Sequence, residues 1–369
     1  MKILDKFLQY NKKNIIDEVM ATVKRDLLNK KLVVYGAGSR GKRMVRIFSE
    51  YGLSVTCFCD DQPNKQDIYV NDTPVLSFED LMKQGERGEP FVLNSYAVVI
   101  ATYAREDITN KLRMNNFNLN NIYFYPELLV DMVDANQWKV YERELETLSA
   151  ILYDKKSKLL LEDIIEHLVT GKMEPLFCVK DDAKLEYFDL ELSDHEIFVD
   201  CGAFDGDTIL QFVDKVKKFK KIYAFEPDRI NYNNLKINIQ KWGAKIQIEN
   251  MGLCNFEGEI SFSEDGAVSS KVSAQGKSKV HVLKLDDYFS GKDAPTFLKM
   301  DIEGSEIAAL EGAKHIIETK KPKLAVCLYH KLEHIWEIPY LLKEWNSDYQ
   351  IYIRHYSANS INELICYAV

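Results

Sequence analysis

The chain has 369 residues, enough for two domains of ordinary size. With 46% hydrophobic and 28% charged residues it has the balance of a soluble globular protein, and a formal net charge of -9 offers no basic footprint for a nucleic-acid partner. No apolar run reaches the roughly 20 residues that span a bilayer, and Met1-Lys-Ile-Leu-Asp-Lys lacks the apolar core of a signal peptide; the seven scattered cysteines then read as reduced thiols in a cytoplasmic protein.

Residues 1–30 read as a helical lead-in. The apolar run Leu32-Val-Val-Tyr35 predicts a first strand, and Gly36-Ala-Gly-Ser-Arg-Gly41 a turn that opens a helix from Lys42 to Tyr51. Ser54-Val-Thr-Cys-Phe-Cys59 predicts a second strand ending in Asp60-Asp61, with further strands at Tyr96 to Thr102 and Ile122 to Tyr125. Strands alternating with helices imply a parallel sheet with right-handed crossovers, so residues 1–126 are expected to form a small Rossmann-like domain. Residues 127–192, rich in Leu, Glu, Lys and Asp at helical spacing, are expected to be a helical connector. A second α/β series follows over 193–369, with strands near 197–201, 222–226, 246–250, 297–301 and 323–328. Its end differs: Tyr349 to His355 and Glu363 to Ala368 flank a short polar loop, the signature of an antiparallel hairpin.

In the first series Gly36, Gly38 and Gly41 make G-x-G-x-x-G between a strand and a helix, and Asp60 stands where a ribose-binding acid belongs. Arg40 lies at the helix start, where anions are attracted. The pattern fits a nucleotide, a nucleotide sugar or NAD; the alternatives are an NAD-dependent oxidoreductase and a domain used only for packing or dimerisation. In the second series Gly202 and Gly206 form a glycine turn after a strand, and Glu226 closes the next one. Glu226 can accept hydrogen bonds from both hydroxyls of a ribose.

Several ordered motifs together resemble the FkbM family of S-adenosylmethionine-dependent methyltransferases. They are Phe198 to Thr208, Tyr223-Ala-Phe-Glu-Pro227, Leu283 to Asp287, Phe297 to Gly312, Lys321 to Ala325 and Tyr329-His-Lys331, covering roughly residues 195–369. The resemblance implies a class I methyltransferase fold and methylation of hydroxyls, usually on sugars or polyketides. A sugar hydroxyl acceptor suits polysaccharide biosynthesis. Residues 1–126 resemble, more loosely, the Rossmann-like domain of bacterial nucleotide-sugar acyltransferases, through Val33 to Gly38, Asp60-Asp61 and Pro74-Val-Leu76. That resemblance implies a domain that holds a nucleotide sugar, and here it is expected to bind the nucleotide or sugar-linked acceptor.

The expected cofactor contacts are therefore Asp200, taking the methionine ammonium, the turn at Gly202 and Gly206, Glu226, Met251 flanking the adenine, and Asp301. A hydroxyl is a poor nucleophile, so the site needs a base or a Lewis acid. His330 is the better base candidate because an unperturbed imidazole titrates near 6.5. His355, at the end of another strand, could flank the same cleft, and His334 reads as solvated or packing. Hard oxygen ligands at Asp301 and Glu303 suit Mg²⁺ or a similar ion; they could equally anchor cofactor and cap a helix. Asp286 and Asp287 are expected to cap the helix starting at Tyr288. A non-catalytic nucleotide-binding scaffold is the non-enzyme alternative, and a homo-oligomer is compatible with all of these.

Overall fold

The computed structural model describes residues 15–27, 29–66, 68–70, 72–83, 95–102, 105–124, 135–173, 175–176, 180–262, 278–357 and 361–369. By compactness the chain divides into two units. One comprises Met1–Glu146, Leu159–Lys180 and Ser357–Ile361; the other comprises Thr147–Lys158, Asp181–Tyr356 and Asn362–Val369. The residues expected as a connector, 127–192, are shared between them.

The first unit is built on a six-stranded sheet. Its strands are β1 (Lys31–Tyr35), β2 (Val55–Cys59), β3 (Tyr69–Val70), β4 (Thr73–Leu76), β5 (Tyr96–Ile100) and β6 (Ile122–Phe124), in the order β3-β4-β2-β1-β5-β6. β1 runs parallel to both β2 and β5, and β5 parallel to β6. Val33, Val34 and Val98 are buried, as strands covered on both faces require. The pair β3 and β4 was not anticipated. It is an antiparallel ribbon in which Tyr69 and Val70 face Pro74 and Thr73, and strands of two and four residues, one with a proline, give almost no period to read.

The second unit carries a seven-stranded sheet. It comprises β7 (Ile197–Cys201), β8 (Lys221–Phe225), β9 (Ile246–Glu249), β13 (Phe297–Met300), β14 (Lys323–Cys327), β15 (Ile351–His355) and β16 (Leu364–Ala368), in the order β15-β16-β14-β13-β7-β8-β9. β16 runs antiparallel to β14 and to β15, so the expected hairpin closes a parallel sheet. Between β9 and β13 lies a small sheet absent from the sequence reading: β10 (Gly252–Leu253), β11 (Gly258–Phe262) and β12 (Ser278–Leu283), ordered β10-β12-β11. Phe198 stacks on Phe212 and Phe297, with ring centroids 4.6 and 4.9 Å apart, and anchors the core under β7 and β13. No described helix is long and apolar enough to cross a membrane. Cys57, Cys59, Cys201, Cys327 and Cys366 are buried free thiols.

In each sheet the order reverses at the first strand, β1 between β2 and β5 and β7 between β8 and β13. Such a switch point opens a crevice at the carboxyl ends of the strands.

Candidate active site

The turn after β7 is shaped by close approach. Gly202 has φ +84°, and a Cβ there would lie 1.9 Å from the carbonyl oxygen of Asp301. Only glycine lets the turn pass so near the end of β13. Gly202 and Ala203 then donate their amides to Phe225 O, each at 3.0 Å, while Gly206 caps the helix Asp207–Lys215. Phe204, at φ +47°, donates its amide to Glu226 Oε2 at 2.9 Å, and Asp228 donates to Oε1 at 2.8 Å. Glu226 is thus locked facing the turn. Burial pushes its carboxyl up to about 7, against the two backbone hydrogen bonds that favour the charged form.

Beneath the turn, Asp200 and Lys299 are partners in the register of β7 and β13. The Lys299 ammonium lies 3.0 Å from Asp200 Oδ1 and donates to Gly202 O at 2.8 Å, with both side chains almost fully buried. Burial raises Asp200 to about 6, the ammonium opposing it, whereas Asp200 holds Lys299 protonated despite burial. Asp200, expected to take a cofactor ammonium, has an ion-pair partner within the chain in Lys299.

Three carboxylates and an imidazole converge past the ends of β13 and β14. Asp301 accepts from Tyr187 Oη at 2.8 Å and from Tyr329 Oη at 3.2 Å. Glu303, a quarter exposed, has the left-handed φ of +55° that costs a non-glycine residue strain. Glu306 is fully buried at the start of the helix Glu306–Glu311, and its Oε1 accepts from the amides of Ile302 and Gly304 at 3.0 and 3.3 Å, which fixes the loop. His330 Nδ1 lies 2.8 Å from Glu306 Oε1; Nε2 lies 3.4 Å from Asp301 Oδ1 and 3.6 Å from Glu303 Oε1.

This arrangement corrects the role expected of His330. Burial alone would lower its pKa, but Glu303 and Glu306 outweigh that and push it up to about 10. At neutral pH the ring is a cation rather than a free base. Burial works against Glu306 too, yet His330 and His334 hold its carboxyl well below the usual range. His334 is not solvated: it is buried, with Nδ1 3.2 Å from Glu306 Oε2. A further acid, Glu363, is pushed up to about 10, first by burial and then by a hydrogen bond with Glu186.

Other expectations fare unevenly. His355 is fully buried on the edge strand β15, three positions along the sheet from β13 at about 4.8 Å per step, and does not join the acids. Met251 is half-buried in the turn between β9 and β10. That turn is pinned beside Glu226 because Asn250 Nδ2 donates to Glu226 O and Pro227 O at 2.9 and 3.0 Å. Asp286 caps a helix other than its own, accepting from the amides of His315 and Ile316 at the start of Lys314–Lys320. Tyr187 and Glu186 escaped the sequence reading because they precede β7, and no motif there points to a site. Tyr329 was legible as a neighbour of His330.

The first unit has its own cradle, a cleft of about 390 Å³ lined by Gly36, Gly38, Arg40, Asp60, Lys65 and Thr102 among others. Gly41 packs the helix Ser39–Glu50 against the turn, since a Cβ there would lie 1.9 Å from Gly36 O. Gly38 has no atom within 4 Å of its would-be Cβ and leaves the cleft open. Asp60 is buried; Oδ2 accepts from Ala37 N at 2.9 Å and Oδ1 from Gln62 N at 3.0 Å, with Lys65 Nζ 3.5 Å away. Asp61 instead holds Tyr35 Oη and Lys111 Nζ, each at 2.7 Å.

Comparison with known proteins gives this geometry a family. Residues 200–352 match the family model "Methyltransferase FkbM domain". The crystal structure of methyltransferase FkbM from Methylobacillus flagellatus KT is similar in fold, with a TM-score of 0.68 over 99% of this chain and 98% of that chain at 22% identity. Far more remote is Aeropyrum pernix fibrillarin bound to S-adenosyl-L-methionine, with a TM-score of 0.33 over 51% of this chain and 73% of that chain at 11% identity. No curated protein matches the sequence. Residues 200–352 therefore match a methyltransferase FkbM domain, and the protein is an S-adenosylmethionine-dependent methyltransferase.

Proposed function

We propose that the second unit methylates a hydroxyl of a sugar or glycan precursor, as a cytoplasmic step of polysaccharide biosynthesis, and that the first unit binds a nucleotide or the nucleotide-linked end of the acceptor. The observation that carries the first half is the meeting, at one sheet edge, of the Gly202 turn, the locked Glu226 and the acids beyond β13. Each Glu226 oxygen accepts one backbone amide and keeps a lone pair for a ribose hydroxyl. The turn brings backbone rather than side chain to the crevice, and the residues present fit the cofactor.

S-adenosylmethionine, when bound, supplies a methyl group on a positively charged sulfur, so the chain has mainly to align the acceptor and take its proton. Glu226, with the turn from Gly202 to Gly206, would hold the nucleoside, and Met251 would border the base. Asp301 and Glu303 would receive the acceptor hydroxyl. Glu303 is the more exposed of the two and is positioned to take the proton, while the cationic ring of His330 balances the carboxylates around it. For the first unit the support is the open cleft at Gly38 together with Asp60, which its loop amides orient as Phe204 and Asp228 orient Glu226.

The test is methyl transfer from labelled S-adenosylmethionine to a panel of nucleotide sugars and free glycans, with the product mapped by mass spectrometry. Label on a sugar oxygen is the expected result. Label on nitrogen, or on no hydroxyl-bearing acceptor, contradicts the reading.

A further inference from the structure

We propose that Asp301, Glu306 and His330 form a binding site for one divalent transition ion of the Mn²⁺, Fe²⁺ or Zn²⁺ class, rather than the Mg²⁺ site expected at Asp301 and Glu303. This deepens the proposed function and depends on it only for the ion's use, not for its binding. One ligand atom from each of the three residues lies within 4.8 Å of the others, so a small inward shift would place all three around a single ion. They come from three separate fixed points: the end of β13, the first turn of the helix Glu306–Glu311, and the loop after β14.

A second observation points to a missing centre. His330 Nδ1 and His334 Nδ1 are buried and each lies within ion-pair distance of Glu306, at 2.8 and 3.2 Å, whereas His330 Nε2 is buried without a hydrogen bond. Buried polar atoms are nearly always satisfied, and His330 Nε2, with no carboxylate oxygen closer than 3.4 Å, is the atom left open toward a ligand. The side chain of His330 is only 8% exposed and its Nε2 faces both Asp301 and Glu303.

Charge and donor type select the class. Asp301, Glu303 and Glu306 outnumber His330, whose ring proton the ion would displace, and the nearby Lys299 ammonium is committed to Asp200 and Gly202 O. A cation is therefore favoured. Mg²⁺ prefers oxygen ligands and retains several waters, whereas an imidazole nitrogen beside two carboxylates suits the softer first-row ions. The surroundings supply the supporting contacts such sites use: His334 on the second oxygen of Glu306, and the hydroxyls of Tyr187 and Tyr329 on Asp301.

The test uses the full chain, stripped with chelator and then titrated with Mn²⁺ by electron paramagnetic resonance and with Zn²⁺ by calorimetry, each repeated in a hundredfold excess of Mg²⁺. One ion per chain should bind despite the Mg²⁺, and His330→Ala and Glu306→Gln should each weaken it at least about tenfold. Glu306 is buried, so Asp301→Asn, at a partly exposed site, serves as a further variant, and near-ultraviolet circular dichroism reports whether each variant is folded. S-adenosylhomocysteine is titrated into the same samples. A chain that binds S-adenosylhomocysteine but no stoichiometric ion overturns the ion site and leaves the methyltransferase reading standing. Ion binding that folded variants leave unchanged, or that Mg²⁺ displaces on equal terms, also overturns the proposal.

Discussion

The two units solve one structural problem twice and differ in what they add to it. Each has a glycine turn after its first sheet strand, and each locks an acid from the next strand onto that turn through a backbone amide: Ala37 N to Asp60 in one, Phe204 N to Glu226 in the other. Past the neighbouring strand they diverge. Beyond β5 the chain continues with Ala101 and Thr102, whereas beyond β13 it supplies Asp301, Glu303 and Glu306, with His330 delivered from β14. On the proposed function the shared cradle would serve binding. What the second unit adds is a group of titratable side chains, so that reading sets a binding half against a reacting half.

The largest effect should fall on turnover. Asp301→Asn should lower it by about 10²–10⁴ while cofactor affinity changes little, whereas Asp60→Asn should act on the acceptor's KM and leave the chemical step alone. Initial rates at saturating cofactor separate the two; a comparable fall in kcat from Asp60→Asn would break the division of labour.

Stability should divide the cradles next. Lys299→Met strands Asp200 in the core and should cost about 3–5 kcal/mol. Lys65→Met, which removes a half-exposed 3.5 Å contact to Asp60, should cost no more than about 1 kcal/mol. Urea unfolding of the two variants compares them directly. A similar contrast holds for the glycines. Gly202→Ala meets Asp301 O at 1.9 Å in a left-handed conformation and should cost about 3 kcal/mol. Gly38→Ala, with open space around it, should stay within about 0.5 kcal/mol. Equal midpoint shifts would mean that the two turns are built alike.

The smallest effect is on pH dependence. Glu226 is raised from 4.5 to about 7 in the folded chain, so the stability it contributes is present below about 4.5 and is lost as pH rises through about 7. Ribose hydroxyls donate to the charged form, so cofactor binding should release a proton. Affinity for S-adenosylhomocysteine should then fall about tenfold per pH unit below about 7, and Glu226→Gln should remove that dependence. A slope unchanged in the variant would assign the proton elsewhere, Asp200 being the next candidate.

Much of the scaffold was legible because buried parallel strands write themselves as short apolar runs and their turns as glycines. The hairpin at the C-terminus was readable for the same reason, two strand-like runs about a polar loop. What escaped depends on register or on distance along the chain. The pairing of Asp200 with Lys299 follows from which residues face each other across β7 and β13, and no spacing encodes that. Tyr187 reaches Asp301 from 114 residues upstream. The protonation of His330 is set by Glu303 and Glu306 together, a property of the folded cluster, so an isolated histidine's pKa misjudged it. The strand β10 was missed because two residues leave almost no periodic signal.

The claim that only one of the two cradles holds the methyl donor is tested most directly by calorimetric titration of S-adenosylhomocysteine into the full chain and two variants. The account predicts one site per chain, weakened by about 1.5–3 kcal/mol, roughly tenfold to a hundredfold, in Glu226→Ala and unchanged in Asp60→Ala. Binding that survives Glu226→Ala intact, or that is lost in Asp60→Ala, would contradict it.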